Sequence, residues 1–155
     1  MSTTARSATS PQLAARVVHG AIAGVAGGIV FGMLMALMDM LPMVAMLVGS
    51  ESVIVGALVH LVNSAVIGAI FGLVAEGFAD KIGPILGIGM VYGVFWWVLG
   101  ALVLMPLWLS VTADPMMRDM VFVVERDQWL SLMGHVFFGL VAAGVLFGLG
   151  RRAHS

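Results

Sequence analysis

Four stretches of this chain, each of about twenty residues or more, contain no charged side chain, and no other feature of the sequence constrains the fold as strongly. A bilayer core is ~30 Å thick and an α-helix rises ~1.5 Å per residue, so roughly twenty apolar residues have the length of a transmembrane helix. The sequence therefore predicts an all-α integral membrane protein with four transmembrane helices. The uncharged stretches are 20–38, 52–75, 82–109 and 129–150.

Composition excludes several classes of protein. The chain is 61% hydrophobic and 10% charged, which excludes a water-soluble core, and its 155 residues leave no room for an appended soluble domain. A net charge of -1 with scattered basic residues argues against nucleic acid as a partner. The absence of cysteine excludes disulfides and thiolate metal sites. Without any complete catalytic or nucleotide-binding signature, the chain is not expected to be an enzyme.

The distribution of basic residues predicts the orientation in the membrane. Cytoplasmic segments carry the excess of Lys and Arg, and one side of the predicted helices carries most of them here. Both termini are therefore predicted to be cytoplasmic. The preference for Arg over Lys, with abundant Ala, Gly and Val, favours a bacterial inner membrane. The basic residues on the predicted inner side are Arg6, Arg16, Lys81, Arg151 and Arg152.

The predicted domain organisation is a membrane domain between two short tails. Pro42 lacks a backbone donor and is expected to end the first helix just before it. Asp114-Pro115 is typical of a helix start, which predicts a short interfacial helix in the outer loop. The predicted organisation is a disordered cytoplasmic tail at 1–16, a four-helix membrane domain at 17–150 with spans at about 17–41, 52–75, 83–109 and 129–150, and a cytoplasmic tail at 151–155.

A weak internal repeat relates the first two predicted helices to the last two. Gly-Ile-Val-Phe-Gly at 28–32 matches Gly-Met-Val-Tyr-Gly at 89–93, and His60 corresponds to His135. Since each unit holds two spans, the copies would share orientation and form a pseudo-twofold bundle about an axis along the membrane normal. Chance similarity between glycine-rich apolar helices is the alternative.

Small residues recur every fourth position along three of the predicted helices. Such strips allow close approach of helix backbones, either within the chain or between copies, and use within the chain is favoured. They do not match a phosphate-binding loop, which needs a strand-turn-helix context and a basic residue. The predicted packing residues are Gly20, Gly24, Gly28, Gly32, Ser64, Gly68, Gly72, Gly139, Gly144 and Gly148.

His60 and His135 are the main candidate site residues, because ionisable groups inside a membrane are costly and often functional. Counted from the outer helix ends, both lie roughly 9 to 12 Å deep. Asp39 and Asn63 are expected to lie near the same layer. In a structural interpretation, each imidazole bonds a backbone carbonyl or a Ser. In a second interpretation, the two imidazoles bind haem iron or a metal ion. In a third, Asp39, His60 and Asn63 form a proton or ion pathway.

Copper is one metal that the sequence accommodates. Thioether ligands suit Cu(I), and Met35 and Met43 each lie four residues from Asp39. The candidate cofactor ligands are His60 and His135, and the candidate metal ligands are His60, His135, Asp39, Met35 and Met43.

These patterns lead to three functional hypotheses. The leading one is a non-enzymatic accessory or assembly subunit acting through helix packing, with the lipid bilayer and either itself or another membrane protein as partners. The alternative is a haem- or copper-binding membrane protein that uses the histidine pair. The third is a small transporter or channel.

Overall fold

The computed structural model describes residues 9–152, and within them the chain is helical without a β-strand. Short 3-10 segments follow α2, α3 and α5, and a π-helical segment joins α4 to α5. In chain order the helices are α1 (Thr9–Leu37), α2 (Leu41–Ala45), α3 (Val53–Ala75), α4 (Ile82–Trp96), α5 (Met105–Thr112) and α6 (Arg126–Arg152).

Within the described residues, four helices are long and apolar enough to cross a membrane, which confirms the predicted number. The third of them is continuous through α4, the π-helical segment Trp97–Leu104 and α5. This architecture fits a membrane-embedded helical bundle. The candidate spans are Gln12–Leu37, Val53–Ala75, Ile82–Thr112 and Arg126–Arg151.

The centre of the bundle is the contact between α1 and α6. Away from this central contact, α1 packs along α3, and α6 packs along α4. The contact between α3 and α4 is narrow. A twofold axis that exchanged the two halves would make the α3–α4 contact as extensive as the α1–α6 contact. The packing departs from that symmetry, and the internal repeat stays a prediction from sequence.

The first helix differs at both ends from the predicted span. It already includes residues 9–16, which the sequence assigned to a disordered tail, and it ends at Leu37 rather than at 41. The rest of that predicted tail, 1–8, and residues 153–155 lie outside the described residues. Pro42 does not end the helix; it occupies the first turn of α2, where its missing N–H needs no partner.

A Schellman motif ends α1 at Asp39. The Met40 N–H donates to the Met35 carbonyl at 2.9 Å, and the Asp39 N–H donates to the Ala36 carbonyl at 3.3 Å. Asp39 has the left-handed conformation that this motif requires, with φ of 55°. The backbone at Asp39, rather than Pro42, therefore stops the helix.

Pro106 is accommodated inside the third span. An α-helix would bond the amide of residue 106 to the Leu102 carbonyl, but proline has no N–H. The Leu102 carbonyl instead accepts from the Phe122 N–H at 3.1 Å. This bond fastens the outer segment to the π-helical segment that precedes Pro106.

The predicted outer-loop helix is a 3-10 segment over Pro115–Met120. The Asp114 carboxylate accepts from the Met116 N–H at 2.9 Å, so Asp114 caps this segment with Pro115 in its first turn. Location of the segment at the membrane interface stays a prediction.

Candidate functional site

The α1–α3 interface brings His60 to the first helix. Gly24 lies so close to α3 that a Cβ there would overlap the Ser64 carbonyl oxygen and the Gly68 Cα. Gly20 lies in the same way against Gly68 and Gly72. Backbones can approach this closely only where side chains are absent, as in other small-residue contacts between membrane helices.

His60 bonds across this interface. Its Nε2–H donates to the Gly28 carbonyl of α1 at 2.9 Å, and the side chain is 9% exposed. A carbonyl oxygen can only accept, so Nε2 carries the proton. The ring also borders Gly32, where an added Cβ would lie 3.2 Å from Cδ2 of His60. His60 therefore depends on two glycines of α1 for both its bond and its space.

His135 makes its hydrogen bond within α6. Its Nδ1 donates to the Ser131 carbonyl one turn earlier at 2.8 Å, and the Ser131 hydroxyl lies 3.4 Å from the same nitrogen. The two histidines thus differ, because the hydrogen bond of His60 joins two helices whereas that of His135 stays within one.

The ring of Phe31 contacts both histidines. Its centroid lies 5.2 Å from that of His60 and 4.7 Å from that of His135, and both contacts are edge-to-face. The same ring covers Gly134 of α6, where a Cβ would overlap it. Both histidines thus lie beside one ring, and their common depth in the membrane stays a prediction. The sequence contains no sign that an aromatic ring contacts both of them.

The other candidate metal ligands do not share one environment. Met35 is buried in the same apolar cluster as Phe31, whereas Asp39 and Met43 are exposed. Asn63 is also exposed on α3, so the residues proposed for an ion pathway do not share one enclosed site. Among the side chains that the structure describes, no group of three or more His, Asp or Glu is arranged to hold a metal.

The predicted packing residues of the last helix divide into two sets. Gly139 lies against Gly89 of α4, and a Cβ at either position would overlap the other residue's carbonyl oxygen. At Gly144 and Gly148, an added Cβ would meet no atom of the described residues within 4 Å. In that part of the chain, those two glycines therefore do not pack against another helix.

Two aromatic side chains that the sequence did not single out as site residues also connect separate segments. The Tyr92 hydroxyl of α4 donates to the Ile67 carbonyl of α3 at 2.6 Å. The indole N–H of Trp97 donates to the Gln128 carbonyl at 2.9 Å, and its ring stacks on Trp129. Tyr92 is the single tyrosine of the chain, and its polar tip within an uncharged stretch is the signal that could have identified it.

The hydrogen bonds fix the tautomer of each neutral imidazole. Each ring gives one N–H to a backbone carbonyl, and in the neutral ring this leaves a lone pair on Nδ1 of His60 and on Nε2 of His135. Metal-binding histidines use the same tautomeric arrangement. It is equally the arrangement that satisfies one donor per ring in a purely structural role.

Fold and candidate site together fit a small polytopic helical membrane protein. No family model matches the chain, and no curated protein or solved structure matches it either.

Proposed function

We propose that this chain is a non-enzymatic accessory or assembly subunit of a bacterial inner membrane, with both termini in the cytoplasm, and that it acts by associating through its helices. The observation that carries the proposal is how the buried His60 and the half-buried Tyr92 form their hydrogen bonds. His60 and Tyr92 both donate to backbone carbonyls of neighbouring helices. These groups hold the bundle together and are not gathered into a reactive cluster.

The uncovered surfaces support the same proposal. Large apolar side chains are exposed along α3 and α4, among them Val66 at 57% and Val91 at 66%. In a bilayer such faces contact lipid or another membrane protein. Because the interior side chains of the bundle pack its helices together, the exposed faces of α3 and α4 are the surfaces available for binding a partner.

Photocrosslinking in native membranes tests the proposal. A crosslinking amino acid is placed at Val66 on α3 or at Val91 on α4, and adducts of the full chain are identified by mass spectrometry. We expect a discrete protein adduct from one face and only lipid adducts from the other. Lipid adducts alone from both faces, or ion flux through proteoliposomes of the purified chain, would contradict an accessory role.

Ligation of haem or copper by His60 and His135 is a second candidate, since the second nitrogen of each neutral ring is available to coordinate an ion. The contact of both histidine rings with Phe31 argues against ligation. An ion shared by the two rings would need a nitrogen of each ring within about 2.1 Å of it. Oxidised and reduced visible spectra, with iron and copper analysis of the purified protein, separate the candidates. A Soret band or stoichiometric metal, lost in both His60→Ala and His135→Ala, would establish ligation.

A further inference from the structure

Asn63 places a primary amide on the uncovered side of α3. It is the eleventh of the 23 residues of this helix, so in a bilayer it lies ~15 Å from either end, near the centre. The side chain is exposed, and it has no hydrogen-bond partner within the described residues. Hydrocarbon offers no partner either, which makes this position unfavourable for an isolated chain.

The residues around Asn63 form a seam with the spacing of a coiled coil. Successive members are separated by four, three, four and three residues, the pattern that keeps one face of a helix against a partner helix. Val66, Ile70 and Leu73 are 57%, 40% and 41% exposed. The α3 seam consists of Val59, Asn63, Val66, Ile70 and Leu73.

We propose that the α3 seam is the contact between two copies of this chain, paired about a twofold axis along the membrane normal. Copies inserted with one topology present parallel α3 helices with Asn63 at equal depth. A residue close to a twofold axis meets its own counterpart. The amide both donates and accepts, so each Asn63 completes the other's hydrogen bonds.

The composition of the seam fits two parallel helices. Asn63 and Ile70 occupy one type of heptad position, whereas Val59, Val66 and Leu73 occupy the other. A single Asn among apolar seam residues fixes register and favours a dimer. Four of the five seam residues are exposed and lie away from the strip of α3 that packs on α1, where Ser64 and Gly68 are buried. The fifth, Val59, is half-buried and also packs against the apolar cluster that contains Phe31. Pairing through the four exposed residues leaves the interior of each bundle unchanged.

Förster transfer between labelled full-length chains in liposomes measures this association. Asn63→Val keeps the apolar seam and removes the amide, and we expect the dimer dissociation constant to rise roughly 3- to 30-fold. Leu58→Ala is the matched control, since Leu58 is 59% exposed and points about 140° away from Asn63 around α3. It should leave the dissociation constant unchanged, and circular dichroism should show equal helicity in all three proteins.

The absence of cysteine allows a second test in the same chain. Val66→Cys should give an oxidised dimer, whereas Leu58→Cys should not. The inference deepens the proposed function, because it names the partner in the association. Equal crosslinking at both positions, or equal dissociation constants for the wild type and Asn63→Val, would overturn it. An adduct between Val66 and a different protein would also overturn it, yet would support the accessory role.

Discussion

At the scale of single residues, glycines of the same sequence pattern have unequal structural roles. Gly24 and Gly148 both belong to the predicted small-residue strips. Backbone atoms of α3 border Gly24, whereas space is open around Gly148. Spacing identifies which residues can share a helix face, but the neighbour of that face is a property of the folded bundle.

Substitution by alanine should separate these two roles. In Gly24→Ala, the new methyl group meets the Ser64 carbonyl and the Gly68 Cα, which are backbone atoms and cannot rotate away. Overpacking of this kind costs about 1–3 kcal/mol, and we expect the free energy of unfolding to fall by about 2 kcal/mol. The measurement is reversible unfolding in mixed micelles, followed by circular dichroism.

Gly148→Ala is the control at an uncovered helical glycine. It meets no atom within 4 Å and gains helix propensity, so stability should stay equal or rise by up to about 1 kcal/mol. If both alanines shifted the unfolding midpoint equally, close packing between α1 and α3 would not explain Gly24.

At the scale of helices, the end of α1 depends on one backbone conformation. Asp39 adopts φ of 55°, which costs about 1–2 kcal/mol for a residue with a side chain and nothing comparable for glycine. We therefore expect Asp39→Gly to raise the free energy of unfolding by up to about 1 kcal/mol. Asp39→Val should lower it by about 1–2 kcal/mol, because β-branched residues tolerate this conformation worst. Thermal unfolding in micelles measures both changes.

Asp39→Asn serves as the matched control, since asparagine also tolerates the left-handed region while the charge is removed. Its stability should equal that of the wild type. A loss of stability in Asp39→Asn as large as in Asp39→Val would mean that the carboxylate, rather than the backbone, supports this end of the helix.

The four spans could be predicted from the sequence, whereas the burial of the candidate site residues could not. Length and absence of charge are local properties, so the four spans followed from the sequence. The end of α1 did not, because Pro42 is compatible both with stopping one helix and with starting the next. The sequence also placed Asn63 with His60, one turn away, although the fold covers His60 and leaves Asn63 exposed. Burial of adjacent strips on α3 is decided by where α1 packs.

At the scale of the whole molecule, one ring joins the helices that form the centre of the bundle. Phe31 belongs to α1, and it contacts His60 of α3 as well as Gly134 and His135 of α6. Helix association in lipid depends on packing rather than on exclusion of water. A side chain that fills the junction of three helices should therefore contribute more than one of equal size on the surface.

Phe31→Ala should lower the free energy of unfolding by about 3 kcal/mol, the lower end of the range for buried aromatic residues, because lipid removes much of the transfer term and leaves the cavity term. Phe137→Ala is the matched control on α6, where the ring is 45% exposed, and should change stability by less than about 1 kcal/mol. Unfolding in mixed micelles, followed by circular dichroism, compares the two. Equal losses would contradict the larger contribution expected of a side chain that fills the junction of three helices.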